Sequence, residues 1–251
     1  MPAAYDTYDY PSYWIGREYE HEAEILALKD LLSKIPKIKT ILEVGAGFGR
    51  LTPTYVYRAN RVILSDPSAK LLGLARESLK EKKLEFIQAK IENLPEKIRA
   101  NYLDLIIIVR VLHHLEDLDK VFSVSQRLLK KNGFLLLEFA NKKHSKAILT
   151  EFFKGNFTFP FNIFPKDIKS ENSQREKTLP FVNYHPDVIK EKLAACGFKI
   201  LEKRSVSNIR SPFIKKIIPT PTLILLEKYL QKPLAYVNFG PSIFLLATKT
   251  G

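Results

Sequence analysis

The sequence predicts an α/β fold built around a largely parallel sheet, and three features of the chain point to it. Short apolar runs alternate with helix-like runs through the middle of the chain, which is the pattern of βαβ units. The run 103–109 is almost continuously apolar, as expected for a central strand buried on both faces. A glycine-rich turn follows the first apolar run. The 251 residues, 45% of them hydrophobic, suit one domain with a full core.

The apolar runs predict seven strands, four helices and two irregular segments. The predicted strands are 40–44, 61–65, 84–87, 103–109, 134–139, a strand beginning at 198–201, and 243–248. The predicted helices are 67–80, 117–130 with a stop at Lys131-Asn132-Gly133, 187–196 and 222–230. The irregular segments are 144–184, which is rich in phenylalanine, and 211–233, which is marked by prolines. We interpret them as caps inserted into the domain.

The strongest motif is Glu43-x-Gly45-x-Gly47-x-Gly49, between the first strand and an expected helix. Glycine allows a sharp turn and leaves main-chain atoms open to a ligand, because no β-carbon stands in the way. The dinucleotide fingerprint G-x-G-x-x-G would need its third glycine at position 50, which is Arg50. The spacing therefore argues against a nicotinamide oxidoreductase, which stays the third alternative.

The segment 41–50 resembles motif I of class I S-adenosylmethionine (SAM)-dependent methyltransferases. Asp66 and the segments 86–95, 102–115 and 133–138 match further family motifs in the correct order. The resemblance covers about residues 38–140 and the last two strands. It implies a Rossmann-like doubly wound seven-stranded sheet of order 3-2-1-4-5-7-6, with the last strand antiparallel and with inserted cap segments. It also implies one domain, 1–251, made of a helical flap (1–36), a SAM-binding core (37–141) and caps (142–184 and 207–238).

The resemblance implies that SAM is the cofactor and S-adenosylhomocysteine (SAH) the product. Asp66 stands where the family places the acid that binds both ribose hydroxyls, and a carboxylate can accept both hydrogen bonds. Lys90 stands where an acid usually receives the adenine amino group, so Ile91 is left to pack on the ring and offer its N–H. Glu43 either organises the loop or contacts the sulfonium end. The cofactor-binding candidates are Tyr13, Arg17, Glu43, Gly45, Ala46, Gly47, Asp66, Pro67, Ile91, Glu92, Val109, Arg110 and His114.

The N-terminal aromatic residues and the histidine pair each have two interpretations. Tyr13 and Trp14 either pack as a flap or form a wall near the methyl group, attracted to the sulfonium by cation–π forces. Arg17 is the candidate for binding the methionine carboxylate. His113 and His114 are the catalytic candidates, because histidine titrates near neutral pH; otherwise they pack beside the cofactor or cap the next helix. Asp117 is expected to be a helix cap.

The predicted reaction is methyl transfer to a small-molecule acceptor. The phenylalanine-rich cap and the basic amphipathic stretch 215–232 suggest an apolar or lipid-linked acceptor, such as a quinone, polyketide or glycolipid intermediate, with peripheral membrane or lipid contact. Alternatively, these residues only pack the caps onto the domain. The net charge of +13 leaves nucleic acid open as a partner, and with it an RNA methyltransferase. A non-catalytic SAM-binding protein is the alternative from another class.

Cysteine content and targeting signals limit the remaining possibilities. The single cysteine, Cys196, excludes a disulfide framework and a cysteine-based metal site, and no metal is expected. The N-terminus has no basic and apolar regions of a signal peptide, and no apolar stretch approaches the ~20 residues of a membrane helix. A cytoplasmic protein is therefore expected. The sequence leaves the oligomeric state open.

Overall fold

The computed structural model describes residue 6 and residues 9–115, 117–167 and 181–250. The strands are β1 (Thr40–Val44), β2 (Arg61–Asp66), β3 (Leu84–Gln88), β4 (Leu103–Ile108), β5 (Leu129–Ala140), β6 (Lys166–Asp167), β7 (Val182–Asn183), β8 (Phe198–Val206) and β9 (Ser242–Lys249). The α-helices of the described residues are α1 (Glu18–Ser33), α2 (Ala69–Ser78), α3 (Leu118–Leu128), α4 (Ser145–Phe153), α5 (Pro186–Ala195), α6 (Pro212–Ile217) and α7 (Thr220–Tyr236).

Seven strands form one sheet in the order β3-β2-β1-β4-β5-β9-β8. The neighbours from β3 to β5 pair in parallel, and β9 runs antiparallel to both β5 and β8. Because β8 and β9 are the sixth and seventh strands of this sheet along the chain, the predicted order and the antiparallel last strand are confirmed. The carboxyl ends of β1, β2, β4, β5 and β8 therefore lie at the same edge, where ligands bind in doubly wound folds.

The core lies on both faces of the sheet. Successive residues of β1 point to opposite faces, so Ile41 packs with Leu28 and Leu31 of α1, while Leu42 belongs to the cluster that includes Phe122 of α3. Strand β4 contributes buried residues to both clusters. This explains why its sequence reads as a continuous apolar run.

Two local predictions were wrong. The glycine-rich turn leads into two short 3₁₀ turns, Thr52–Thr54 and Val56–Arg58, rather than an α-helix. Proline and β-branched residues in this stretch disfavour helix propagation. The predicted stop at Lys131-Asn132-Gly133 lies within β5, since α3 already ends at Leu128 and the chain turns at Asn132 with φ +61°.

Two helix boundaries also differ from the prediction. Helix α2 begins at Ala69 rather than Pro67, because Ser68 is its N-cap and accepts a hydrogen bond from the Leu71 N–H. Helix α7 is longer than the predicted 222–230 and continues through Pro233. The flanking prolines made it look shorter in sequence.

The segment 142–184 is anchored to the sheet through a buried lysine. Lys142 follows β5, and its Nζ donates to the Asn162 carbonyl at 2.7 Å, to Asn162 Oδ1 at 3.0 Å and to the Phe164 carbonyl at 2.6 Å. Strand β6 pairs with β7, which returns the chain toward the sheet. Residues 168–180 of the predicted cap lie outside the described residues.

The segment 207–238 forms α6 and α7, and α7 packs against α1. Gln231 Nε2 donates to the Ala23 carbonyl at 2.8 Å, and Tyr19 Oη donates to Glu227 Oε2 at 2.6 Å. In the part of the chain that is described, no helix combines the length and apolar character needed to cross a membrane.

Candidate active site

The turn after β1 requires glycine at its first position. Gly45 has φ +69° and Gly47 φ +55°, both in the left-handed region that side chains rarely adopt. A β-carbon at Gly45 would overlap the Val111 side chain. At Gly47 it would still have 3.8 Å to Leu71. The main chain of β1 therefore meets the segment after β4 directly.

Asp66 lies at the end of β2, beside this turn. Its Oδ2 accepts a hydrogen bond from the Gly47 N–H at 2.9 Å, and its Oδ1 accepts one from the Ser68 N–H at 2.8 Å. Burial raises the pKa of Asp66, while the two N–H donors lower it. Each oxygen keeps a further lone pair for a ribose hydroxyl. Pro67, the next residue, is half-buried.

Glu43 is fully enclosed below the turn. Thr52 Oγ1 donates to Glu43 Oε2 at 3.0 Å, and the Tyr55 hydroxyl donates to the same oxygen. Burial raises the pKa of Glu43 to about 7, and the two hydroxyl donors oppose the rise. These contacts favour the loop-organising role over direct contact with the cofactor.

In the segment after β3, main-chain groups rather than side chains are the candidates for contact with the cofactor. The Ala89 N–H donates to the Asp66 carbonyl at 3.2 Å, so this segment lies beside the end of β2. Ile91 begins the turn Ile91–Glu96, and its side chain packs in the core with Leu94. Lys90 and Glu92 are exposed. The packing of Ile91 on adenine and the donation of its N–H both stay predictions.

A buried charge cluster joins the turn to the segment after β4. Glu24 of α1 is 0% exposed and accepts from Arg50 Nη2 at 2.5 Å and from Arg110 Nε at 2.7 Å. Arg110 follows the buried Val109, has φ +62°, and donates its N–H to Glu138 Oε2 at 2.9 Å. The arginines keep the pKa of Glu24 below its usual value despite burial.

The sequence analysis missed Glu24, Arg50 and Glu138 as part of the site. One signal for Glu24 was available. It stands four residues before Leu28, on the stripe of α1 that faces the core. A carboxylate on such a stripe needs a cationic partner.

An aromatic segment covers the turn. The Tyr10 ring lies 3.9 Å from the place a Gly47 β-carbon would occupy, and it stacks on Tyr13 with ring centroids 5.9 Å apart. The Arg50 guanidinium lies 3.5 Å from the centroid of the Trp14 ring. Ala46 is buried beneath this region. Tyr13 and Trp14 therefore lie in a segment beside the turn, a position that suits both the flap and the aromatic wall.

Arg17 is less well placed than expected. It is exposed and stacks on the Tyr13 ring at 4.1 Å. Arg50 and Arg110, by contrast, lie at the two segments that frame the turn. They are therefore better placed than Arg17 to meet a carboxylate there.

The histidine pair lies in the turn Leu112–His114 at the same edge of the sheet. His113 is buried, and burial together with the nearby His114 and Arg110 holds its pKa well below the usual value. Its Nδ1 has no hydrogen-bond partner among the described residues. The ring centroid of Phe181 lies 4.3 Å from that of His113.

Neighbouring residues connect this turn to β7 and α3. The Tyr184 hydroxyl, just after β7, donates to the Leu115 carbonyl at the end of the turn. Asn183 Oδ1 in β7 is buried and, like His113 Nδ1, has no hydrogen-bond partner among the described residues. Asp117 caps α3, accepting the Lys120 N–H at 2.9 Å, as predicted. Residues 181–184 therefore run along the histidine turn.

A surface cavity of about 350 Å³ lies elsewhere, between β8 and the end of α7. Its lining includes Lys203, Lys232 and Tyr236, and none of the predicted site residues. The cavity therefore does not contribute to the candidate site.

The fold is that of a Rossmann-like α/β domain with its candidate site at the carboxyl edge of the sheet, and comparisons with known proteins agree. The family described as "Methyltransferase domain" matches residues 42–137. The chain is 26% identical, over 83% of its length and 83% of the relative, to the ubiquinone/menaquinone biosynthesis C-methyltransferase UbiE of Shewanella frigidimarina. A SAM-dependent methyltransferase of Thermotoga maritima is similar in structure, with TM-score 0.66, 16% identity and 98% of each chain covered.

A second solved structure has the same fold. The methyltransferase of Haloferax volcanii, solved in complex with the Trm112 methyltransferase activator, has TM-score 0.63 and 13% identity, covering 99% of this chain and 97% of that one. Residues 42–137 therefore match a methyltransferase domain, and the chain has the Rossmann-like fold of SAM-dependent methyltransferases. The prediction from its motifs is confirmed at this level.

Proposed function

We propose that this enzyme methylates a small, apolar, hydroxyl-bearing ring compound of the quinol class. The observation that carries the proposal is the pairing of the neutral, buried His113 ring with the Phe181 ring at the carboxyl edge of the sheet. The similarity to quinone C-methyltransferases supports the same class of acceptor. An aromatic face with one polar ring nitrogen suits a flat acceptor that carries a hydroxyl group.

The residues of the turn fit SAM. The Asp66 carboxylate would bind the ribose hydroxyls, and the bare backbone at Gly45 and Gly47 would admit the methionine end. Arg110 and Arg50 would meet the methionine carboxylate, and Tyr10 would move or repack over the bound molecule. When bound, SAM supplies an activated methyl group on a good leaving group.

His113 would orient the acceptor and help it lose a proton. Because its pKa is lowered, the imidazole is neutral at physiological pH and can accept a hydrogen bond from a hydroxyl group. Deprotonation of that hydroxyl increases the nucleophilicity of the acceptor. The low pKa makes His113 a weak base, so its main contribution is positioning beside the Phe181 ring.

The test is transfer of a tritiated methyl group from SAM to a reduced short-chain naphthoquinone. Label is expected in the organic phase, and His113→Ala should lower kcat by roughly 100-fold, the range expected for a positioned acid–base group. The affinity for SAH, measured by calorimetry, should stay within about twofold of the original protein.

Asp117→Ala is the matched control. It removes the cap of α3 next to the histidine turn and keeps the imidazole, so its kcat should change little. An equal loss in both variants would show that His113 acts only through the structure of the turn. Label that enters RNA and leaves the organic phase empty would overturn the proposed acceptor class.

A further inference from the structure

Helix α7 buries two polar side chains and exposes several large apolar ones. Its buried positions recur every four residues and include two polar side chains, at Glu227 and Gln231. The apolar residues Leu225 and Tyr229 point outward and are 54% and 69% exposed. Burial of apolar surface would favour the opposite orientation in water.

Hydrogen bonds hold the helix in this orientation. Glu227 accepts from the Tyr19 hydroxyl at 2.6 Å and from the Ser207 N–H at 2.8 Å. Gln231 donates to the Ala23 carbonyl at 2.8 Å. A rotation that buried Leu225 and Tyr229 would break these bonds and take the α7 partners away from the groups beneath the helix, which are the Tyr19 hydroxyl, the Ser207 N–H and the Ala23 carbonyl. The exposed apolar face is therefore built into the fold.

Helix α6, which directly precedes α7, also exposes apolar side chains. Phe213 and Ile217 are 71% and 63% exposed, and only Ile218 and Pro219 separate α6 from α7. We call the exposed apolar and basic side chains of these two helices the α6–α7 face. Its apolar members are Phe213, Ile214, Ile217, Leu225, Leu226, Tyr229 and Tyr236.

The charged residues of the segment that carries this face are nearly all basic. Residues 207–238, all described, contain five cations, and their one acid is the buried Glu227. The cations are Arg210, Lys215, Lys216, Lys228 and Lys232. Lys215 is paired with Glu20, and Lys216 and Lys228 are exposed. The electrostatic complement of this face is an anionic surface.

We propose that the α6–α7 face docks onto an anionic lipid bilayer. Aromatic and aliphatic side chains flanked by lysines are the composition of helices that lie in the membrane interface. The apolar side chains enter the boundary of the acyl chains, and the lysines stay among the headgroup phosphates. This inference does not depend on the quinol acceptor, although an acceptor dissolved in the bilayer would be within reach of an enzyme docked in this way.

The test is sedimentation of the full chain with vesicles of phosphatidylcholine, with and without phosphatidylglycerol. Binding is expected to the anionic vesicles and to weaken as salt is added. Lys216→Glu with Lys228→Glu should reduce the partition coefficient at least about tenfold, since each basic residue near the surface contributes about 1 kcal/mol. Leu225→Ser with Tyr229→Ser should reduce it as well. All four residues are exposed, so thermal unfolding should change little.

Lys80→Glu with Lys82→Glu is the matched control. Both lysines are exposed near the start of β3, at the opposite edge of the sheet, and the pair makes the same change in net charge. An equal loss in this control would overturn docking through the α6–α7 face. A lack of binding to anionic vesicles would also overturn it. The same holds if gel filtration shows a dimer and the double substitution Leu225→Ser with Tyr229→Ser converts that dimer to monomers. SAH affinity measured on the same variants separates this result from any failure of the methyl-transfer proposal.

Discussion

Substitution of Asp66 by alanine tests the cofactor site most directly. In the structure each carboxylate oxygen accepts one backbone N–H, from Gly47 at 2.9 Å and from Ser68 at 2.8 Å. Alanine leaves both buried donors without this partner, at a cost of about 1–3 kcal/mol each in the free energy of unfolding. It also removes the acceptor for two ribose hydroxyls. We expect SAH to bind at least tenfold more weakly, a change of ~1.4 kcal/mol.

Isothermal calorimetry with SAH, at a temperature where both proteins are folded, measures this affinity. Ser68→Ala is the control for simple loosening of the loop, because it removes the hydrogen bond that caps α2 and keeps the carboxylate. Its affinity for SAH should fall by less than that of Asp66→Ala. Unchanged affinity in a folded Asp66→Ala protein would refute the ribose assignment.

Three further perturbations test the buried groups at this edge. Burial raises the pKa of Glu43 to about 7. Between about pH 5 and 7 the folded protein therefore keeps a proton on Glu43 that the unfolded chain has released. The free energy of unfolding consequently falls as the pH rises through this range. Glu43→Gln should remove up to about 3 kcal/mol of this decline in denaturant titrations. Glu24→Ala leaves Arg50 and Arg110 without their shared carboxylate and should lower the free energy of unfolding by about 3–5 kcal/mol. Trp14, the chain's single tryptophan, stacks on Arg50, so SAH binding should change its fluorescence.

Each of these perturbations has its own control and contrary result. Glu22→Ala changes an exposed acid of the same helix and should alter stability by less than about 0.5 kcal/mol, whereas an equal effect would refute the buried-pair argument for Glu24. If the free energy of unfolding of Glu43→Gln depended on pH in the same way as that of the original protein, a group other than Glu43 would be responsible for the titration. Unchanged Trp14 emission at SAH concentrations that saturate binding in calorimetry would show that the aromatic segment stays in place.

The positions of the strands were predictable because each strand has a distinct sequence pattern, and their order followed from the resemblance to the family. The run in β4 is buried on both faces, and the glycines after β1 appear where the family motif places them. The Asp117 cap was predictable for a similar reason, because its partner Lys120 lies three residues away along the chain. The position of Asp66 at the end of β2 was also visible in the sequence, and its role in binding ribose stays a prediction. Local patterns of this kind are visible in a single sequence.

Other features depend on residues far apart in the chain and were not predictable. The orientation of α7 is set by Glu227, whose partners include Tyr19, 208 residues away. Glu24 and Arg110 are 86 residues apart, and neither has a local signal for the other. The missing helix after the glycine turn is a different case, since Pro53 and its β-branched neighbours carried a local signal that the family pattern outweighed.

The charge cluster indicates which arginine meets the methionine end of SAM. That end is a zwitterion, so its best complement presents both signs of charge rather than one isolated cation. Arg50 and Arg110, both paired with Glu24, provide such a complement beside the glycine turn together with Glu138, which accepts the Arg110 backbone N–H. Arg17, by contrast, is exposed and stacked on Tyr13.

Arg50→Gln should therefore weaken SAH binding about tenfold or more, the loss expected for a charge-assisted hydrogen bond. Arg17→Gln should leave the affinity within about twofold. Arg58→Gln is the control for loss of a half-buried arginine, because the Arg58 guanidinium donates to the carbonyls of Leu32 and Ile35 below the turn. If Arg17→Gln weakened binding and Arg50→Gln did not, the carboxylate would lie on the N-terminal segment, and the charge cluster would serve only to hold α1 against the sheet.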